Sequence, residues 1–308
     1  MSNLPNFLVV GFPKCGTTSL HYYLNEHPEI FMPKQKELHF FTCDKLKALD
    51  SGPKDDLVSK FHIDKLSSYK KIFNEARSDQ IIGEVSPSYI NYPNLSIPRI
   101  KKLLGNPKII ILLRDPIERA YSNYLHLVRE EREHLSFYEA LQVEEERQEA
   151  NFSDFWYYKF NSTYADKINA FNDNFDEQLI LTLEELKENP EMTLKKIYSF
   201  LNVDESFCPK GIGKSYNQGG SYKQNLITRF FFRQSKFRDF LKSNLTITPG
   251  MKHLKQKIIS RFKQETPEID ERSLYLMGKE FKEDVKKINQ NFDLNTENWN
   301  QLFNEKDE

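Results

Sequence analysis

The chain has 308 residues, enough for one large α/β domain or two small ones. Its 44 Lys and Arg balance 45 Asp and Glu to a net charge of -1, which removes any global case for nucleic acid as a partner. Three cysteines (Cys15, Cys43, Cys208) without CxxC spacing argue against a disulfide framework, and His39 beside Cys43 does not make a zinc site.

The opening MSNLPNFLVVGF runs almost at once into an apolar strand, FLVVGF (7–12), whose continuous apolar character predicts a buried parallel strand. No later stretch approaches the roughly 20 apolar residues of a membrane helix. The expectation is therefore a cytoplasmic chain with no leader and no membrane span. TTSLHYYLNEH (17–27) has helical periodicity, with Leu20, Tyr23 and Leu24 on one face. QIIGEVSPSYI (80–90) reads as a second strand entering a Ser/Pro turn, and SIPRIKKLLG (96–105) as a short helix closed by Gly105. PKIIILLRDP (107–116) is the clearest strand, and IERAYSNYLHLVRE (117–130) after it is helical. QLILTLEEL (178–186) is a fourth strand, followed by the helix MTLKKIYSFLNV (192–203). Residues 208–225 are glycine-rich and polar, a loop, and the remainder (224–308) is charged and helical. Strands alternating with helices predict a central parallel sheet flanked by helices, in one α/β domain over 1–308.

GFPKCGTTSL (11–20) joins the first strand to the first helix. Gly11 and Gly16 have the spacing of a nucleotide phosphate loop, and Thr18 fills its Ser/Thr position. Thr17 stands where the loop lysine belongs, and the lysine is inside the loop at Lys14. Backbone N–H groups at a helix N-terminus attract anions, Gly16 lets the backbone come close, and Thr17, Thr18 and Ser19 add hydroxyls. Cys15 lies in the same loop, where a helix N-terminus and a lysine lower a thiol pKa; the expectation is a reactive thiol whose alkylation blocks nucleotide binding.

A magnesium-dependent ATPase or kinase carries a carboxylate at the end of a hydrophobic strand. Here the central strand ends in Arg114 before Asp115. An arginine at the carboxyl end of a central strand faces the ligand crevice and can grip a second phosphate in bidentate fashion, with Ser122 adding a hydroxyl; the competing reading of Arg114 is an ion pair with a neighbouring carboxylate. The pattern points to a nucleotide with two separated phosphate groups and little role for a metal. Two rivals stand beside it: an ATP-dependent P-loop kinase with Asp115 as metal ligand, and a non-catalytic nucleotide-binding protein.

GFPKCGTTSL together with IIILLRDPIERAYSNY resembles the PAPS-dependent sulfotransferases, PAPS being 3′-phosphoadenosine 5′-phosphosulfate. The resemblance implies that Lys14, Cys15, Gly16, Thr17, Thr18 and Ser19 cradle the 5′-phosphosulfate, and that Arg114 and Ser122 bind the 3′-phosphate. It implies a place near the adenine for Tyr164, in STYADKINAFNDNF. It also implies that Ser221 and Lys223, in a late glycine loop, contact phosphate. KELHFF and GEVSPSY look like the heparan sulfate N- and O-sulfotransferase branch and its bacterial relatives. There the glutamate before the aromatic pair is the base, which implies Glu37 as general base, with His39 as alternate base or substrate contact. That branch often has a lysine after the strand glutamate, where this chain has Val85 after Glu84. Glu84 itself is either a strand-end catalytic carboxylate or a buried, hydrogen-bonded one. The implied reaction is in-line sulfuryl transfer to a hydroxyl or amine of a carbohydrate or small metabolite, with Lys14 stabilising the leaving phosphate, PAP as product and no metal. TRFFFRQSKFRDFLKS (228–243) is read as a helix with a buried aromatic face and a solvated basic one.

Overall fold

A computed structural model of the chain describes residues 3–58, 62–213, 221–222, 232, 258–259, 261–292, 294, 296–299 and 302. Five parallel strands form its centre: β1 (Phe7–Val9), β2 (Ile30–Phe31), β3 (Ile81–Val85), β4 (Lys108–Leu113) and β5 (Gln178–Thr182). Their spatial order is β2-β3-β1-β4-β5. Phe7, Leu8 and Val9 are apolar on both faces and fully buried, as a central parallel strand covered on both sides requires. In register, Val9 lies between Val85 and Ile110.

Helices cover the sheet. They are α1 (Thr17–Glu26), α2 (Cys43–Lys47), α3 (Leu66–Ile72), α4 (Ser88–Asn91), α5 (Pro93–Leu104) and α6 (Pro116–Arg129) in the first half. Then come α7 (Phe137–Gln142), α8 (Glu144–Glu149), α9 (Ala165–Asn172), α10 (Leu183–Glu188) and α11 (Pro190–Leu201). A long helix, Glu271–Asn291, buries Met277, Phe281, Val285 and Ile288 and packs on α6, α7 and α9. A short antiparallel pair, β6 (Ser221–Tyr222) with β7 (Lys263–Gln264), lies against α6. No described helix is long and apolar enough to cross a membrane.

The expected parallel α/β architecture is present, with shifted boundaries. The strand expected within 80–90 ends at Val85, where the anticipated turn at Ser86 and Pro87 leads the chain into α4. The strand expected over 178–186 stops at Thr182, whose hydroxyl takes the N–H of Glu185 while the Glu185 carboxylate takes that of Thr182, a capping box that starts α10. The helix expected from Ser96 begins earlier, at Pro93, where the missing N–H costs nothing. Of the basic aromatic stretch 228–243, only Phe232 lies within the described residues.

β2 and β3 lie to one side of β1, and β4 and β5 to the other. The chain direction therefore diverges at β1, and the crevice opens outside the carboxyl ends of β1 and β4.

Candidate functional site

The loop after β1 is tied to β4 by its backbone: Val10 N–H donates to the Ile110 carbonyl at 3.0 Å and Phe12 N–H to that of Leu112 at 3.1 Å. That closeness needs Gly11, since a Cβ there would sit 2.9 Å from the Leu112 nitrogen. Gly16 closes the loop at φ 88°, and a Cβ on it would meet Leu183 Cδ1 at 2.6 Å. No side chain caps α1, so its N-terminal field faces the crevice, with Thr17, Thr18 and Ser19 in its first turn. Lys14 has φ 72° and points to the same space. Burial, and then repulsion from Arg129, Arg114 and Arg119, lowers its ammonium to about 7. A lysine so placed gains charge when an anion arrives.

Arg114 follows β4 directly. Its Nη2 donates to Glu118 Oε2 at 2.8 Å, the ion pair that the competing reading anticipated, and its Nη1 reaches the Lys14 carbonyl at 3.5 Å. Its Nε is buried and has no partner, an unused donor at the cleft wall. Ser122, two turns along α6, lines the same cleft. Asp115 does not face it. Its Oδ1 caps α6 by accepting from Ile117 and Glu118 N–H at 2.9 and 3.2 Å, and its Oδ2 accepts from Leu302 N–H at 3.3 Å.

Glu37 and His39 occupy the segment between β2 and α2. Both have left-handed backbones, at φ 60° and 53°, a costly conformation for side-chain-bearing residues. The turn after β3 holds them: Glu37 N–H donates to the Val85 carbonyl at 2.9 Å and His39 N–H to Ser86 Oγ at 3.0 Å. His39 Nδ1 pairs with Ser88 Oγ at 2.6 Å. Lys36 Nζ forms an ion pair with Glu37 Oε1 and donates to Thr18 Oγ1 at 2.7 Å. Burial works to raise the Glu37 carboxyl, but Lys36 and then His39, with Lys14 adding, outweigh it and hold the group below its ordinary range. Burial, then the neighbouring His62, brings His39 down to about 3, so its ring is neutral at physiological pH. Glu84, by contrast, is fully buried and accepts from Tyr69, Tyr89 and Ser86 hydroxyls. Of its two readings the structural one holds.

Two spaces meet at this segment. A cleft of about 830 Å³ runs from Thr17 and Lys14 past Arg114 and Ser122 to Lys263 and Pro267. A cavity of about 240 Å³ lies behind it, lined by His39, His62, Ser88, Asn91 and Asp154 among others. Pro13, Lys36, Glu37 and Phe155 line both. The larger space has the size of a nucleotide site, and its uncapped helix end, lysine, hydroxyls and unused guanidinium donor form a donor set for phosphate groups.

Two loop and cleft expectations change. Cys15 is fully buried beneath the loop, and burial pushes its thiol up to about 12, so it is not a reactive group. The helix field is outweighed by desolvation there. Tyr164 is also fully buried and lies below the cleft, its ring 4.5 Å from Phe12 and its hydroxyl donating to the Arg114 carbonyl at 2.9 Å. It positions Arg114 and presents no surface to a ligand. Ser221 lies in β6; its side chain and all of Lys223 fall outside the described residues.

Sequence reasoning passed over Lys36, Arg119 and His126. Arg119 is buried on α6 and supports the loop from beneath. His126 lines the cleft and accepts at Nδ1 from Arg129 at 2.6 Å. The available signal was the i, i+4 spacing of Ser122 and His126 on one face of α6.

Residues 5–206 match the profile of the sulfotransferase family. Among curated proteins, the membrane-associated sulfotransferase kil1 of Dictyostelium discoideum is 39% identical over 124 residues, 39% of this chain and 22% of that protein. Human carbohydrate sulfotransferase 15 is 28% identical over 246 residues, 65% of this chain and 44% of that protein. Mouse heparan sulfate glucosamine 3-O-sulfotransferase 5 is 29% identical over 140 residues, 45% and 35% of the two chains. The chain spans less than half the length of these curated relatives. Among solved structures, a sulfotransferase from Alicyclobacillus acidocaldarius superposes with a TM-score of 0.74 at 27% identity, covering 96% of this chain and 99% of that one.

Proposed function

The chain belongs to the sulfotransferase family, and from that premise we propose that it transfers the sulfuryl group of PAPS to a hydroxyl or amine of a carbohydrate acceptor. The observation that carries this reading is the meeting of the anion-binding cleft with the smaller cavity at Lys36 and Glu37. A group moving from a nucleotide in one space to an acceptor in the other passes these two side chains.

PAPS, when bound, supplies an activated sulfuryl group. Lys14 and the first turn of α1 would hold its 5′ end, and Arg114 with Ser122 its 3′-phosphate. Glu37 takes the proton of the acceptor; a positioned base contributes roughly 10²–10⁴-fold in rate. His39, neutral and fixed by Ser88, is a hydrogen-bonding wall of the acceptor cavity rather than the base. Lys14 stabilises the charge left on the phosphate. The kinase alternative needs Asp115 as a metal ligand, and both oxygens of that carboxylate accept backbone N–H groups.

Thermal unfolding with PAP, ADP and magnesium-ATP tests this. A ligand at 100 times its dissociation constant stabilises by about 2.7 kcal/mol. PAP is expected to raise the midpoint without metal, and ADP far less. A shift by magnesium-ATP alone would overturn the assignment. Labelled sulfuryl transfer from PAPS to a panel of mono- and oligosaccharides then identifies the acceptor.

A further inference from the structure

We propose that Lys36 is a catalytic residue of this site: its ammonium binds the sulfuryl oxygens during transfer and screens them from the Glu37 carboxylate. The inference rests on the sulfotransferase reading above. It starts from a position. Lys36 Nζ bridges Thr18 Oγ1, in the first turn of α1, and Glu37 Oε1, at the mouth of the acceptor cavity. Those two oxygens stand on the donor and acceptor sides of the reaction, and Lys36 lines both spaces. Its side chain is only 21% exposed, and the neighbouring backbone is clamped to the β3 turn through Glu37 and His39.

The chemistry of transfer demands a cation here. The acceptor oxygen forms a bond to sulfur as the bond from sulfur to the bridging phosphate oxygen breaks. The electron pair leaves with the phosphate of PAP, and the acceptor proton goes to a Glu37 oxygen. The base is thus an anion that must work beside an anionic sulfuryl group. Unscreened, that repulsion opposes the approach in a partly buried site, where it is stronger than in water. The ammonium between them turns it into two attractions.

Three cations around the cleft are placed for other contacts. Lys14 stands on the phosphate side, in the loop. Arg114 is engaged by Glu118, and Arg119 is buried under the loop. Val85, at the end of β3, is apolar and buried, so no cation enters from that strand. The groups that face Glu37 are Lys36, Lys14 from the phosphate loop, His39 from its own segment, His62, and His21 from α1. Burial, the leading cause for each, lowers the three histidines to about 3 for His39 and about 4 for the other two, so they are neutral near pH 7. Lys36, paired directly with the carboxylate, leads the compensation.

Lys36→Gln, Lys36→Met and Lys36→Arg test the assignment. PAP has no sulfuryl group, so its affinity, measured by calorimetry, should stay within about threefold in all variants, given that uniform phosphate contacts remain. PAPS affinity should fall about 10-fold or more in the neutral variants, the loss of one charge-assisted contact. Turnover should drop about 100-fold or more, as for removal of one preorganised donor. The acid limb of kcat/KM should move to higher pH, because the carboxylate loses its cation. Arg should restore most of the PAPS affinity and the limb. A PAPS-to-PAP affinity ratio unchanged in both neutral variants, with an unmoved acid limb, overturns the proposal. Absence of PAP binding in the unmodified protein would instead sink the sulfotransferase reading itself.

Discussion

The guanidinium of Arg119, fully buried, donates from Nη1 to the carbonyl of Pro13 at 3.3 Å, one residue before the phosphate-loop lysine. The same group donates to Ser162 Oγ at 2.6 Å, Asn123 Oδ1 at 3.1 Å and the Tyr158 carbonyl at 2.9 Å. One planar cation thereby ties α6 and the segment before α9 to the loop between β1 and α1, the proposed nucleotide loop.

Arg119→Met should cost about 2–4 kcal/mol, because it leaves buried carbonyls without donors. It should also lower PAP affinity more than about 10-fold through the displaced loop, since misplaced binding groups are expensive. Arg119→Lys should not rescue either effect, as a single ammonium cannot span four acceptors in a fork. Thermal melting and calorimetry check both. A melting midpoint within a degree of the unmodified protein would show that the loop does not depend on this strut.

The strand–loop–helix setting, both glycines and the strand-end Arg114 were readable in the sequence because they are local. An apolar strand, a glycine turn and a helix follow one another within residues 7–26, and a strand-end arginine needs only the strand. Lys36 and Arg119 were not readable, for a common reason. PKQKEL has the composition of a solvated lysine loop, and it becomes a site only because the β3 turn, 47 residues away, receives His39. Arg119 has the composition of an exposed helix position, and its burial is decided by Tyr158 and Ser162, about forty residues later. Desolvation misled the reading of Cys15 in the same way: helix field and lysine are visible in sequence, whereas burial is not.

Arg114→Ala should remove discrimination between PAP and 5′-AMP. The guanidinium is the strand-end cation beside Ser122, and its Nε has no protein partner to satisfy. Loss of a charge-assisted grip on a phosphate weakens binding by roughly 1.5–3 kcal/mol per bond, about 10- to 150-fold. AMP, which lacks the 3′-phosphate, should bind the variant as it binds the unmodified protein. Competition calorimetry reads the ratio. Equal losses for both nucleotides would mean that Arg114 supports the loop and does not read the 3′-phosphate.

Thiol labelling should spare the loop. Cys208 is exposed, whereas Cys15 and Cys43 are buried, and burial raises both buried thiols, Cys15 to about 12. Iodoacetamide at pH 8 should modify Cys208 in the folded protein and reach the other two only on unfolding, with PAP binding retained after the first modification. Mass mapping of labelled peptides decides it. Rapid native modification of Cys15 would show that the loop opens far more readily than its packing implies.

The pH profile follows from two opposed groups. Glu37 must be ionised to accept a proton, and its carboxyl is held below its ordinary value of 4.5, so kcat/KM should fall only as pH drops beneath that value. Lys14 must be charged to stabilise the leaving phosphate. Its ammonium titrates at about 7 in the free protein, so kcat/KM should fall again as pH rises through neutrality. An arriving anion favours the charged lysine, so binding of PAP above pH 7 should take up a proton. This is measurable by calorimetry in buffers of different ionisation enthalpy. In Lys14→Arg the proton uptake should vanish and the alkaline limb should move out of range, because a guanidinium stays charged. In Glu37→Gln the acid limb should disappear together with most of the turnover, while PAP still binds. A profile whose alkaline limb is untouched by Lys14→Arg would assign that limb to another group and leave Lys14 a structural part of the loop.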